Sequence, residues 1–145
     1  MFRFRTAARG RARPRGRQRV TDWGVALAGK RILVVEDEVI VAMLIEDILS
    51  DAGAAVVGPV GRVAEALNLA TAERLDAAIL DVNLAGETTA PVAEALRARG
   101  VPFAFATGYG ASGLPAGFEE AALVQKPFQE RDLGEALVRL VTADA

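Results

Sequence analysis

Residues 31–36 read RILVVE, a short apolar run rich in β-branched residues that stops at an acidic side chain. A continuous apolar run of this length is typical of a strand that is covered on both faces, as in a parallel sheet. The pattern returns four times along the chain, at residues 54–60, 77–81, 101–107 and 122–126. Segments with apolar residues at helical spacing lie between and after these runs, at residues 38–52, 62–74, 89–99 and 129–142.

This alternation of strands and helices predicts an α/β fold. Right-handed crossovers would join five parallel strands, with helices on both faces of the sheet. One crossover breaks the pattern, because residues 108–121 (GYGASGLPAGFEEA) hold four glycines and a proline, a poor composition for a helix. We therefore expect the fourth helix to be short or degenerate.

Charge divides the chain of 145 residues into two parts. Residues 1–19 carry eight arginines and no acid, and after Phe4 they have almost no large apolar side chain. We interpret residues 1–29 as a disordered arginine-rich tail and linker, and residues 30–145 as the folded domain. The 126 residues after Arg19 carry nine basic and nineteen acidic side chains, a net charge of −10.

The chain has no cysteine and no histidine, and both absences limit its chemistry. Disulfides, thiolate metal sites, a histidine base and a phosphohistidine carrier are all excluded. The sequence contains neither a signal peptide nor an apolar stretch long enough to span a membrane. We expect a cytoplasmic protein without a membrane partner.

Polar side chains stand where the predicted strands end. Glu36 and Asp37 follow the first strand, Asp81 ends the third, Thr107 ends the fourth, and Lys126 follows the fifth. Because ligands bind at the carboxyl ends of parallel strands, we expect these groups to share one pocket. Clustered carboxylates repel each other unless a cation lies between them, and a set of oxygen ligands favours Mg²⁺. One carboxylate could then attack a phosphoryl donor, while Mg²⁺, the ammonium and the hydroxyl neutralise the phosphoryl oxygens.

The motifs VVEDE (34–38), AAILDVNL (77–84) and KPF (126–128), together with the threonine at 107, resemble a response-regulator receiver domain. The resemblance runs from about residue 30 to residue 140 and implies a flavodoxin-like (βα)5 receiver fold. It further implies that the protein is no enzyme in the usual sense. It would instead assist its own aspartyl phosphorylation and dephosphorylation.

The resemblance also assigns roles to residues. Asp81 would accept the phosphoryl group and, with Glu36, Asp37 and the backbone carbonyl of Asn83, would hold Mg²⁺. Thr107 and Lys126 would contact the phosphoryl group, and the bond from Lys126 to Pro127, usually cis in the family, would aim the lysine.

The segment FATGYG (105–110) is similar to the FAT GUY subgroup of receivers, which are typically stand-alone proteins. This narrower resemblance implies a sensor histidine kinase of the HWE or a related class, or a histidine phosphotransfer protein, as phosphoryl donor. Gly108 would leave room for the phosphoryl group. Tyr109 is interpreted as a gate that limits water at the rim of the site, and the alternative is an aromatic lid over the core.

We therefore predict a single-domain response regulator whose phosphorylation switches protein–protein interactions with an unidentified downstream protein. One alternative is a phosphorylation-independent adaptor, or pseudo-receiver. Another is polyanion binding through residues 3–19, the only part for which we consider a nucleic-acid partner. A start of translation downstream of Met1 is a further explanation of the tail.

Overall fold

The computed structural model describes residues 23–143, and its centre is one five-stranded sheet. The strands are β1 (Arg31–Val35), β2 (Ala55–Val60), β3 (Ala77–Asp81), β6 (Phe103–Thr107) and β7 (Ala122–Gln125). All neighbours pair in parallel, in the order β2-β1-β3-β6-β7. The helices between them are α2 (Val39–Asp51), α3 (Val63–Ala72) and α4 (Ala90–Ala98), and α5 (Glu130–Thr142) follows β7. The predicted flavodoxin-like α/β fold is confirmed. The predicted tail at residues 1–19 lies outside the described part of the chain.

The strand order decides where a site can form. The chain goes from β1 outward to β2 and then returns to β3 on the other side of β1, so the connections leave the sheet in opposite directions at β1 and β3. A crevice opens at the carboxyl ends of the strands where this reversal occurs. Glu36 follows β1 and Asp81 ends β3, so both acidic side chains lie at this crevice.

Alternate residues of each strand supply two separate cores. On β1, Ile32 and Val34 pack with α2 and α5 on one face, whereas Leu33 and Val35 pack with α3 and α4 on the other. All four side chains are at most 1% exposed. Because successive side chains of a strand point to opposite faces, a continuous apolar run is what two such cores require.

The fourth crossover is irregular, as its composition predicts. It contains a single turn of 3₁₀-helix (Gly110–Gly113) and returns to the core at Phe118, which is 2% exposed. The ring of Phe118 packs edge-on against Phe103 and Phe105, with centroids 6.0 and 5.8 Å apart. The guanidinium of Arg97 covers the Phe118 ring at 4.1 Å. The segment is thus anchored at Thr107 and Phe118, and none of the residues between them is buried.

A small antiparallel hairpin follows β3, which the sequence did not predict. Its strands are β4 (Asn83–Leu84) and β5 (Glu87–Thr88), with Ala85 (φ 49°) and Gly86 (φ 86°) at the turn. Two consecutive residues with positive φ are the requirement of a type I′ hairpin turn. Alanine rarely adopts a positive φ, which explains why these two residues carry no hairpin signal in the sequence.

Residues 23–27, which the sequence assigned to a linker, are helical (α1). Leu27 is fully buried in the core formed with α2 and α5. The Trp23 ring lies directly against Gly134 of α5, where an added Cβ would come within 2.5 Å of the ring. The folded part of the chain therefore begins before residue 30. None of the helices within residues 23–143 is long and apolar enough to cross a membrane.

The packing of α1 predicts the effect of two substitutions on the same helix. Leu27→Ala should lower the free energy of unfolding by about 2–5 kcal/mol, because it empties a fully buried site. Val25→Ala, at a side chain that is 82% exposed, should change it by less than about 0.5 kcal/mol. Denaturant titration of both variants measures the difference. Equal stabilities would mean that α1 contributes nothing to the domain.

Candidate functional site

The structure brings the predicted site residues together at the carboxyl edge of the sheet. Asp81, Thr107 and Lys126 line one pocket of about 290 Å³, with Asp37, Asn83, Gly108 and Tyr109 among the other lining residues. Glu36 lies just beneath it, 4% exposed, with one carboxylate oxygen 3.1 Å from Lys126 Nζ. These residues lie at or just after the ends of four strands, β1, β3, β6 and β7, and the parallel sheet makes these ends adjacent.

Lys126 joins two buried carboxylates. Its Nζ lies 2.7 Å from Asp81 Oδ1 and 3.1 Å from Glu36 Oε1, while the exposed carboxylate of Glu38 is 3.8 Å away. The Lys126 backbone supports this position, because its N–H donates to the carbonyl of Thr107 at 2.8 Å. The peptide bond between Lys126 and Pro127 is cis, as the resemblance implies.

Asp37 and Glu36 take different positions although they are neighbours in sequence. Asp37 is exposed and its Oδ2 accepts a hydrogen bond from the Ala85 N–H at 3.0 Å, which ties the end of β1 to the hairpin turn. Glu36 Oε2 accepts one from the Glu38 N–H at 3.0 Å. Helix α2 has Glu38 at its N-cap and no side-chain cap. Asp37 therefore does not cap this helix.

The three carboxylates form a group that could hold a metal ion. Ligand oxygens of Glu36, Asp37 and Asp81 lie within 4.8 Å of one another. Glu36 Oε1 and Asp81 Oδ1 are buried and, although they face the Lys126 ammonium, neither takes a well-aligned hydrogen bond. Buried acceptors that lack hydrogen bonds are costly, and a cation between them would relieve that cost. The residues present fit a hard divalent cation with oxygen ligands.

Burial and the proximity of Glu36 raise the pKa of Asp81 from its ordinary value to about 8, against the opposing effect of Lys126. For Lys126, burial lowers the pKa, but the facing carboxylates of Asp81 and Glu36 outweigh it and raise the pKa overall. One ammonium is therefore insufficient for two buried carboxylates. The site favours additional positive charge.

Asn83 is the first residue of the hairpin and lies exposed at the rim of the pocket. Its position two residues after Asp81 is compatible with the predicted metal contact through its carbonyl. That contact stays a prediction.

The chain after Thr107 turns tightly around its hydroxyl. Thr107 is 4% exposed, and its Oγ1 accepts a hydrogen bond from the Tyr109 N–H at 3.0 Å. The Tyr109 side chain is 81% exposed at the rim of the pocket. The alternative of an aromatic lid over the core is therefore wrong. The gate stays a prediction.

Two residues that the sequence did not single out support this site. A Cβ on Gly113 would lie 2.7 Å from Thr107 Oγ1, so only a glycine lets the crossover pack on the hydroxyl. At Gly108, by contrast, an added Cβ would meet no protein atom within 4 Å, so any need for glycine there has to come from a bound group.

Thr89 is the second residue that the sequence did not single out, and it is fully buried and bonded to the Asp81 backbone. The only feature of the sequence that could have indicated Thr89 is its position at the start of a predicted helix.

The comparisons with known proteins agree with this geometry. Residues 32–138 match the family model described as the response regulator receiver domain. The solution structure of SdrG from Sphingomonas melonis Fr1 is 45% identical and has a TM-score of 0.69, covering 80% of this chain and 98% of SdrG. The BeF3-activated conformation of SdrG from Pseudomonas melonis Fr1 is 44% identical with a TM-score of 0.66, covering 79% and 98%.

A longer protein shares the same architecture. The response regulator PhyR from Brucella abortus is 25% identical with a TM-score of 0.74; the match covers 88% of this chain and 54% of PhyR. None of the curated proteins compared with the chain matches it.

Proposed function

Because this chain belongs to the response regulator receiver domain family, we propose that it acts as a phosphoryl-accepting switch in a two-component phosphorelay. A sensor histidine kinase or a histidine phosphotransfer protein would supply the phosphoryl group, and Asp81 would accept it. The observation that carries this proposal is the buried Asp81 carboxylate, which lies 2.7 Å from Lys126 and lines an open pocket.

The side chains around Asp81 suit in-line phosphoryl transfer. One Asp81 oxygen would attack phosphorus while the bond from phosphorus to the donor nitrogen breaks, and the electron pair leaves with the imidazole. Lys126 would remain near the transferred group and balance its charge, and the Thr107 hydroxyl would donate to a phosphoryl oxygen. That hydroxyl now accepts a bond from the Tyr109 N–H, and its own proton is free to be donated.

Glu36, Asp37 and Asp81, with the Asn83 carbonyl, would hold Mg²⁺ in this proposal. Bound Mg²⁺ supplies charge neutralisation for the phosphoryl oxygens. It would also keep Asp81 ionised as a nucleophile, since burial and Glu36 raise the pKa of that carboxyl. The chain would turn over no external substrate, so we class it as a phosphoprotein that assists its own labelling and not as an enzyme.

The similarity to SdrG supports a single-domain response regulator, because the match spans 98% of that protein. The segment FATGYG supports the narrower assignment to the FAT GUY subgroup, with a kinase of the HWE or a related class as donor. We propose that this reaction takes place in the cytoplasm.

An apolar surface next to the pocket supports a protein donor. Four large side chains on the first two turns of α2 are between 43% and 79% exposed: Val39, Ile40, Met43 and Leu44. A groove of about 300 Å³ runs from this face to Pro127 and Phe128, and Glu38 and Lys126 line both the groove and the acceptor pocket. Clustered exposed apolar residues mark interaction sites. A partner seated here would place its phosphoryl group over Asp81.

Labelling by a small donor tests the acceptor. With Mg²⁺ and acetyl phosphate, intact mass should show one phosphoryl adduct, absent from Asp81→Asn and absent without Mg²⁺. Asp76→Asn is a matched control, because Asp76 lies at the end of β3 that is away from the site, where its Oδ2 accepts a hydrogen bond from the Arg31 N–H. This variant should still be labelled. An unlabelled wild-type chain, under conditions that label another receiver, would contradict the proposal and favour the pseudo-receiver alternative.

Substitution on α2 tests the docking surface separately from the chemistry. Ile40→Asp should lower kcat/KM for transfer from a phosphorylated histidine kinase by about tenfold, because it charges the centre of the apolar face. Labelling of the same variant by acetyl phosphate should stay unchanged. Val25→Asp, an equally exposed apolar position on α1, is the control and should affect neither reaction. Equal losses with both donors would place the defect in the pocket.

The exposed ring of Tyr109 predicts an effect on the adduct after it has formed. Tyr109→Ala should shorten the lifetime of the phosphorylated chain more than it slows labelling, because the ring covers the rim while its backbone N–H stays in place. Tyr109→Phe keeps the ring and should retain the wild-type lifetime. The decay of the adduct, followed by intact mass, gives both values. Identical lifetimes in all three proteins would rule out a gate.

A further inference from the structure

Thr89 carries the most buried hydroxyl near the site, and the mechanism above gives it no role. Its side chain is 0% exposed, and its Oγ1 lies 2.6 Å from the Asp81 carbonyl and 3.0 Å from the Val82 carbonyl. Its backbone N–H also donates to the Val82 carbonyl, at 2.8 Å. A single threonine thus bonds the main chain of the proposed nucleophile and of the residue after it.

We propose that Thr89 is a positioning residue for the acceptor site, one that holds the Asp81–Val82 backbone and the base of the hairpin in the geometry that phosphoryl transfer requires. This inference rests on the proposed function for its catalytic consequence. Its structural part stands on the contacts alone.

The hairpin explains why such a bond is needed. Residues 83–88 connect the end of β3 to the start of α4, and all of them except the buried Leu84 are exposed, so the main chain at Asp81 is continuous with a largely exposed six-residue excursion. Exposed loops move more than the elements that they connect. Thr89 joins the two ends of this segment, because its hydroxyl lies within bonding distance of the Asp81 and Val82 carbonyls and its N–H donates to the Val82 carbonyl. The Ala85 N–H fixes the tip to Asp37.

These two attachments act on two different parts of the acceptor site. Thr89 bonds the backbone carbonyl of Asp81, and Asp37, one of the three clustered carboxylates, accepts a hydrogen bond from the hairpin tip. Movement at the base of the hairpin would therefore shift the nucleophile and a candidate metal ligand together. Catalytic groups need placement to within about 0.5 Å, so a loose base should slow transfer.

The test compares three variants. Thr89→Val keeps the shape of the side chain and removes the hydroxyl, leaving two carbonyls without that donor, whereas Thr89→Ser keeps the hydroxyl. Thr71→Val is the matched control, because Thr71 Oγ1 also lies within bonding distance of two backbone carbonyls, those of Leu67 and Asn68, on α3. All four proteins are first compared by thermal unfolding, and the later measurements are made on the folded fraction.

The first measurement needs neither metal nor donor. Hydrogen exchange of the backbone amide at position 89 should be at least about tenfold faster in Thr89→Val, because the base of the hairpin opens more often. Thr89→Ser and Thr71→Val should exchange as the wild type does. Unchanged exchange in Thr89→Val overturns the inference whatever the labelling shows.

The second measurement is the rate of labelling by acetyl phosphate at saturating Mg²⁺ and donor. Thr89→Val should lower the maximal rate constant by about tenfold, equivalent to about 1.4 kcal/mol, and Thr89→Ser should recover it. If Thr89→Val exchanges faster but keeps the wild-type maximal rate, Thr89 only holds the hairpin in place and its positioning role is overturned. No labelling of the wild type, with the exchange result as expected, would instead contradict the proposed function alone.

Discussion

Two buried carboxylates that share one ammonium form the interaction on which the rest of this structure depends. Asp81 and Glu36 are both less than a tenth exposed, and Lys126 Nζ lies within 3.1 Å of an oxygen on each. Removing one partner of a buried ion pair typically costs about 3–5 kcal/mol, because the remaining charge is left without compensation. Such a cluster persists only where the surrounding fold holds its members rigidly.

The parallel sheet provides that rigidity, and it also explains why the site is at one edge. β1 and β3 are central strands with cores on both faces, so the ends that carry Glu36 and Asp81 cannot drift apart without opening a core. Lys126 follows β7, which within residues 23–143 is an edge strand with no strand neighbour on its outer side. The group that compensates the charges is therefore on the less constrained element. A change of charge at Asp81 would therefore first shift the positions of Lys126, of Thr107 and of the crossover that follows Thr107.

The sequence predicts those parts of the structure that depend on periodic burial. Every strand of the five-stranded sheet is an apolar run, and the residues that end the runs form the site because parallel strands share a carboxyl edge. It did not predict features that depend on contacts between distant residues. Trp23 and Leu27 read as a linker because their partners, Gly134 among them, lie far along the chain. The hairpin turn uses Ala85 at a φ that local propensity disfavours, which only its surroundings can enforce.

The glycines of the site likewise show that close contacts between separate segments could not be predicted from the sequence. Gly108 follows Thr107 directly, and no protein atom lies within 4 Å of the position of its missing Cβ, so the prediction that it leaves room for a phosphoryl group stays a prediction. The close approach occurs at Gly113, five residues further on, because the 3₁₀ turn folds back over the threonine. The crossover therefore contacts the hydroxyl from both the Tyr109 N–H and the Gly113 backbone. A hydroxyl drawn toward a phosphoryl group at Asp81 would lengthen the first contact and loosen the second. Such a movement would couple the chemistry of the pocket to the shape of the exposed surface at residues 108–117.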